Sequence, residues 1–291
     1  MRPPESQPPR SSKTVRIDGA SARVLALLGV LLVVVVVGVW LVVGALRSDG
    51  TAAPEVVSTL QPTAAAEPPA KLVPELPSGP LPPREAGEAV LVTDGPAVGK
   101  VALTFDDGLC AECVRAVVEF LEQTDTPATM FPNGKYADAW EGSIDLILPL
   151  VASGQIEFGN HTFDHADPRS LKRRDLARDL RRNEKWIWNT FRSDPRPLFR
   201  PPFGAYDDKV LRVAGNQGYT QVVTWSSSGL DWKLTEPDAI AGTVRDTLKP
   251  GAIILLHPNS MATIEAMPAI LEELRARDLE PVLLSELLGE R

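Results

Sequence analysis

Apolar and polar positions divide the chain into three stretches of different rhythm. Residues 24–46 form an unbroken apolar run of 23 residues without a charge, including Leu31-Leu32-Val33-Val34-Val35-Val36-Val37. As a helix rising about 1.5 Å per residue it would span roughly 35 Å, enough to cross the hydrocarbon core of a bilayer. From residue 48 to about 88 no hydrophobic period survives. From about residue 90 onward, short apolar runs alternate with stretches of helical period. The runs predict strands at 100–105, 128–131, 155–160, 198–200, 220–225, 252–256 and 281–284. Between them the 3.6-residue pattern predicts helices such as 112–123, 171–191, 207–217, 236–248 and 263–277. About seven strand-then-helix units predict an α/β domain on a parallel sheet, closed into a barrel or wound as a sandwich.

Charge and composition turn this pattern into an order of domains. Residues 1–23 carry Arg2, Arg10, Lys13, Arg16 and Arg23 against Glu5 and Asp18. A basic flank before an apolar span predicts a cytoplasmic tail, a transmembrane signal-anchor helix at 24–46, and everything after Arg47 on the outer face of the cell membrane. A cleaved signal peptide ending near Val43-Gly44-Ala45 is the alternative, and it would make the protein secreted. Residues 47–89 are rich in Pro and Ala, with Pro54, Pro62, Pro68, Pro69, Pro74, Pro77, Pro80, Pro82 and Pro83. They predict a linker reaching from roughly 35 Å as a coil to roughly 120 Å as polyproline helix. Residues 90–291 are then the folded domain, expected to be monomeric. The net charge of −8 argues against a nucleic-acid partner.

Candidate chemistry is limited by scarcity, since the chain holds three His and two Cys. Thr104-Phe105-Asp106-Asp107-Gly108 ends the first strong strand in two carboxylates and a Gly. Neighbouring side chains of an extended segment point opposite ways, so the two carboxylates are expected to do different jobs. Read alone, such a turn more often caps a helix. His161-Thr162-Phe163-Asp164-His165 places two imidazoles four apart, a spacing that brings both to one face of a helical turn. His257 directly follows the apolar run Ile253-Ile254-Leu255-Leu256. With Asp107 these give a His-His-Asp set suited to zinc or another divalent metal such as cobalt. Arg200-Pro201-Pro202-Phe203-Gly204 and Asp231-Trp232 also sit at strand ends, where parallel barrels collect their chemistry.

Thr104-Phe105-Asp106-Asp107-Gly108, His161-Thr162 with His165, Arg200-Pro201-Pro202-Phe203-Gly204, Asp231-Trp232 and Leu255-Leu256-His257 resemble, in order and approximate spacing, the five motifs of the polysaccharide deacetylase family, the NodB-homology carbohydrate esterases. The resemblance covers roughly residues 97–288. It implies a distorted (β/α) barrel and metal-dependent removal of N-acetyl groups from polymers containing N-acetylglucosamine. It also implies Asp107, His161 and His165 as metal ligands, Asp106 as general base and Arg200 as its orienting partner. Asp231 would pair with the acid, His257. Phe203 would offer a backbone N–H to the oxyanion, and Trp232 and Leu255 would shape the pocket. The anchor and linker point to a cell-wall glycan, peptidoglycan first, with chitin oligomers or another acetylated glycan as alternatives. The rival from another class is a silent glycan-binding protein on the same fold, and the filled catalytic positions stand against it.

Some positions depart from the family pattern or stay open. Ser228 stands where many relatives carry Asp, Phe203 where Tyr is common, and Pro258 follows His257 in place of an acidic residue. Cys110 and Cys113, on the oxidising outer side, suggest a local disulfide that steadies the loop, with free thiols or a redox or metal role the alternatives. The basic helix at 171–191 reads as a solvated face or as a contact for anionic wall polymers. Trp140, Trp186 and Trp188 read as core or as sugar-stacking surfaces.

Overall fold

The computed structural model describes residues 75–289. The expected membrane span at 24–46 and most of the linker lie outside the described residues. Among the described residues, no helix is long and apolar enough to cross a membrane.

All seven expected strands form, and every ladder between them is parallel. The central strand is β2 (Lys100–Asp107), buried from Val101 onward. A strand covered on both faces needs no polar alternation, which is why its sequence reads as a continuous apolar run. On one side β2 pairs with β3 (Ala128–Pro132), which pairs with β4 (Ile156–Phe158). On its other side lie β8 (Ile253–Leu256) and then β7 (Ser227–Ser228), while β9 (Glu280–Val282) pairs with the start of β2. A second sheet runs β1-β6-β5, from Val90–Val92, Gln221–Val223 and Leu198–Phe199. One parallel bridge, Asn160 to Phe199, joins the two sheets between β4 and β5. The chain itself joins them again where β6 leads through Trp225 into β7.

Helices cover the outside. On α1 (Ala111–Thr124) the residues Cys113, Val114, Val117, Val118 and Leu121 recur at helical spacing and are buried. The chain leaves this helix through Asp125 in a left-handed conformation, φ 51°. Two helices with no counterpart in the sequence pattern, α2 (Ala137–Glu141) and α3 (Ile144–Ala152), cover β4. The first is five residues long, and the second contains Pro149, a helix breaker by rule. The basic helix α4 (Arg173–Phe191) buries Leu176, Leu180, Ile187 and Phe191 and turns its cations outward. Next come α5 (Asp208–Asn216), α6 (Pro237–Thr247), α7 (Met261–Ala276) and the short α8 (Leu284–Leu287).

The alternation along β2 divides the core. Leu103 and Phe105 face the helices, packed among Val114, Val118, Met130 and Ile254. Ala102 faces inward with Phe131, Leu198, Val223, Ile253 and Val282, from five other strands, and with Leu284 of α8. The same period carries Thr104 and Asp106 to the inner face, at the C-terminal end.

One boundary differs from the sequence expectation. Residues 79–89, read as the end of the linker, are packed against the domain. The Gly87 N–H donates to the Gly215 carbonyl at 3.0 Å, and the Trp188 indole donates to the Gly79 carbonyl at 3.3 Å. A Cβ on Gly215 would meet the Gly87 carbonyl, so this close approach requires glycine within α5. The folded body therefore begins before residue 90.

Candidate active site

The C-terminal ends of β2, β4, β5 and β8 surround a cavity of about 340 Å³. Its walls include Asp106, Asp107, His161, His165, Phe203, Trp232, Leu255 and His257, eight of the residues singled out in the sequence.

The Asp106-Asp107 pair does not split to opposite faces as strand alternation predicts. Asp107 takes a left-handed backbone, φ 72°, and Gly108 follows at φ 103°. The Trp140 indole holds this turn by donating to the Asp107 carbonyl at 2.8 Å, and it occupies the space a Cβ on Gly108 would need. Both carboxylates consequently approach one imidazole, with His161 Nε2 lying 3.7 Å from Asp106 Oδ2 and 3.6 Å from Asp107 Oδ1. Their environments still differ. The buried Arg200 guanidinium donates to Asp106 Oδ1 at 2.7 Å and to Thr104 Oγ1 at 2.8 Å. Asp107 Oδ1 is buried and has no hydrogen-bond partner.

The two imidazoles are not on a helical turn. Residues 159–165 form a loop in which Thr162 and His165 have φ of 65° and 52°. A left-handed β-branched residue is strained, at a cost of about 1–3 kcal/mol. Polar side chains hold the loop in place: Asn133 Nδ2 donates to the carbonyls of His161 and Thr162 at 2.6 and 3.0 Å. Asp179 Oδ2 accepts from the N–H groups of Phe163 and Asp164, each at 3.3 Å. The rings end 5.1 Å apart, with His165 Nε2 at 3.2 Å from Asp107 Oδ1.

One ligand atom from each of Asp107, His161 and His165 lies within 4.8 Å of the others. Two observations fit this set to a divalent cation. Asp107 Oδ1 is buried without a hydrogen bond and faces Nε2 of both imidazoles, and His161 Nδ1 is 2.7 Å from the Arg200 carbonyl, so Nδ1 carries the proton and Nε2 presents a lone pair. Burial, opposed by the Asp107 charge, pushes the His161 pKa down to about 3, which keeps the ring neutral as a ligand must be.

His257 stands across the cavity. Its Nδ1 is 2.9 Å from Asp231 Oδ1, and its backbone N–H donates to Asp231 Oδ2 at 2.7 Å. Burial disfavours the charged ring, but the Asp231 hydrogen bond and charge, with Asp106 and Asp107 behind them, raise its pKa above 6.5. Burial likewise raises the Asp106 pKa, against the opposing charge of Arg200. Trp232 stands edge-on to His257 at 5.4 Å between centroids, and Phe203 edge-on to His165 at 4.6 Å. Phe203 has φ 61°, and since Pro201 and Pro202 lack N–H groups, its own is the first donor beyond Arg200.

Asn259 is a site residue that the sequence reading missed. Its Oδ1 accepts from the N–H groups of Gly108 and Leu109 at 3.2 and 2.9 Å, while its Nδ2 donates to Asp107 Oδ2 at 3.3 Å. Its place two residues after His257 was the available signal. Trp225 also lines the cavity. The Ser228 hydroxyl accepts from the Leu230 N–H at 3.1 Å and so shapes the turn into Asp231. Cys110 and Cys113 are joined as a disulfide at the start of α1. Trp140 is fully buried and Trp188 is 5% exposed, and neither they nor Trp186 line the cavity.

A parallel α/β fold with two braced carboxylates, two imidazoles on one of them and a third on the opposite wall defines a hydrolase site. A family model described as polysaccharide deacetylase matches residues 94–222. A chitooligosaccharide deacetylase of Rhizobium leguminosarum bv. phaseoli is 31% identical over 201 residues, covering 64% of this chain and 86% of that protein. A peptidoglycan-N-acetylglucosamine deacetylase of Bacillus cereus is 31% identical over 196 residues, 65% of this chain and 87% of that one. Among solved structures, a carbohydrate esterase family 4 pseudoenzyme from Bacillus anthracis is similar at a TM-score of 0.61 and 26% identity, covering 68% of this chain and 69% of that one. The chain belongs to the polysaccharide deacetylase family and is a hydrolase of the N-acetyl amide class.

Proposed function

We propose that this protein removes N-acetyl groups from N-acetylglucosamine residues of a cell-wall glycan, peptidoglycan first, with a divalent metal held by Asp107, His161 and His165. The observation that carries the reading is the buried, unpartnered Asp107 oxygen set between two imidazoles, with Asp106 and His257 braced on either side. Two nitrogens and one carboxylate oxygen favour zinc, with cobalt as an alternative. Such an ion supplies Lewis acidity, which makes water a better nucleophile and the amide carbonyl a better electrophile.

The chain's own residues do the rest. Asp106 takes the proton of the attacking water on Oδ2, while Arg200 occupies Oδ1 and fixes the direction of that oxygen. The Phe203 N–H faces the developing oxyanion. His257, charged and held at Nδ1 by Asp231, gives its Nε2 proton to the departing sugar amine. Leu255 and Trp232 bound the space for the acetyl methyl and the sugar ring. We read the two sheets as one distorted barrel and residues 24–46 as a single-pass anchor that keeps this site on the outer face of the membrane.

The test is to load the full chain with zinc, offer peptidoglycan and chitin oligomers separately, and measure acetate. Release from peptidoglycan supports the reading, and release from chitin oligomers alone would move the substrate. A metal-loaded protein that frees no acetate from any acetylated glycan would make it a silent binder.

A further inference from the structure

Arg84 belongs to the stretch read as linker, yet it reaches a fully buried acid. Its Nη2 donates to Glu184 Oε1 at 2.6 Å and its Nε to Oε2 at 3.4 Å. The Glu184 side chain is 0% exposed and the Arg84 side chain 35% exposed. Leaving such a carboxylate without its cation is strongly unfavourable, because a buried charge needs a partner. The nearby Arg196 is committed elsewhere, to Asp194 at 2.6 Å and the Pro82 carbonyl at 2.9 Å, so it holds the same segment by its backbone.

The contacts continue from Glu184 to the imidazole loop. Tyr219 donates its hydroxyl proton to Glu184 Oε2 at 2.9 Å and accepts from Asn160 Nδ2 at 2.6 Å. Asn160 Oδ1 then accepts from the Thr162 N–H at 2.8 Å and from Asn183 Nδ2 at 3.2 Å. Thr162 is the left-handed residue directly after His161, so Asn160 holds a conformation that the loop would otherwise leave. The Asn160 carbonyl also accepts from the Arg200 N–H at 2.9 Å, and the Arg200 carbonyl is the partner of His161 Nδ1. Each link is buried, and each fixes the orientation of the next.

We infer that Arg84 is a positioning residue for the metal centre, acting through Glu184, Tyr219 and Asn160 on the loop that presents His161. The inference rests on the metal reading proposed above. It makes residues 79–89 a working part of the catalytic domain, one that a truncation at residue 90 would remove. The shape of Arg matters as well as its charge, since two of its nitrogens meet the two oxygens of Glu184.

The test uses the full chain and reads zinc affinity by competition with a chromophoric chelator, together with thermal melting. Arg84→Met is expected to weaken zinc binding about 10-fold, in the range of lost outer-shell partners, and Arg84→Lys to recover part of that loss. Ile270→Val, a core trim in α7 far from the chain of contacts, is expected to lower the melting temperature and leave zinc affinity unchanged. If Arg84→Met does not fold, Tyr219→Phe cuts the same chain with one hydroxyl and is expected to weaken zinc in the same direction. Unchanged affinity in the folded variant would overturn the inference alone. So would a loss that Ile270→Val reproduces at equal melting temperature. A wild-type chain that takes up no zinc would overturn the inference and the metal reading together, whereas zinc uptake without acetate release would leave the inference standing.

Discussion

Two buried carboxylates of one sheet, on the strands either side of β3, meet opposite surroundings. Glu157, on β4, accepts from Thr129 Oγ1 and the Ser285 N–H, each at 2.9 Å, and from Ser285 Oγ at 2.6 Å. These three donors are neutral, and through them Glu157 ties α8 to the sheet. Asp106 sits at the level of Phe131, two residues beyond Thr129 along β3. There one oxygen is held by Arg200 and the other faces the cavity. Left-handed backbone at Asp107, Thr162, His165 and Phe203 crowds the same mouth. A saturated acid stabilises the fold, and a half-saturated acid beside strained backbone is available for chemistry.

Substitutions at the two ends should separate accordingly. The largest effect is expected for His161→Ala, which removes one of the three proposed ligands: zinc content measured after dialysis should fall below stoichiometry and acetate release should vanish. Asn259→Ala leaves the ligands but frees the Asp107 turn, and it should weaken zinc binding by about 10–100-fold in a chelator competition.

The pH profile tests the opposite wall. The raised pKa of His257 means that the acid is charged below that pKa and is lost as pH rises through it, so activity should fall on the alkaline side. Asp231→Asn removes the hydrogen-bonding charge that raises it and should move this limb to lower pH. A limb that stays in place would remove His257 from the role of acid. The smallest effect on catalysis is expected at the saturated end. Glu157→Gln should lower stability by about 1–3 kcal/mol in denaturant unfolding, because an amide faces donors that met a carboxylate, with zinc affinity unchanged.

The legibility of the chain follows the same division. The apolar runs were enough to place seven strands and five helices, because two-sided burial writes itself as Val, Ile and Leu. Ser227–Ser228 pairs as β7 without an apolar residue, and Pro149 hid α3. At the site, rare residue types in marked places exposed the three His and the Asp pair. Their geometry was not legible, since a left-handed φ at Asp107 or Thr162 breaks the alternation and helical spacing that sequence patterns assume. The asparagines were missed for another reason. Asn133, Asn160 and Asn183 are buried hydrogen-bonders whose partners lie far along the chain, and no local period marks them.

The central claim is a division of labour between adjacent carboxylates, with Asp107 binding the ion and Asp106 moving the proton. It is tested most directly by measuring bound zinc and released acetate on one preparation of Asp106→Asn. The account predicts about one zinc per chain, with turnover lowered by about 10²–10⁴-fold. A variant that folds but holds no zinc, or one that holds zinc and turns over at the wild-type rate, would contradict it.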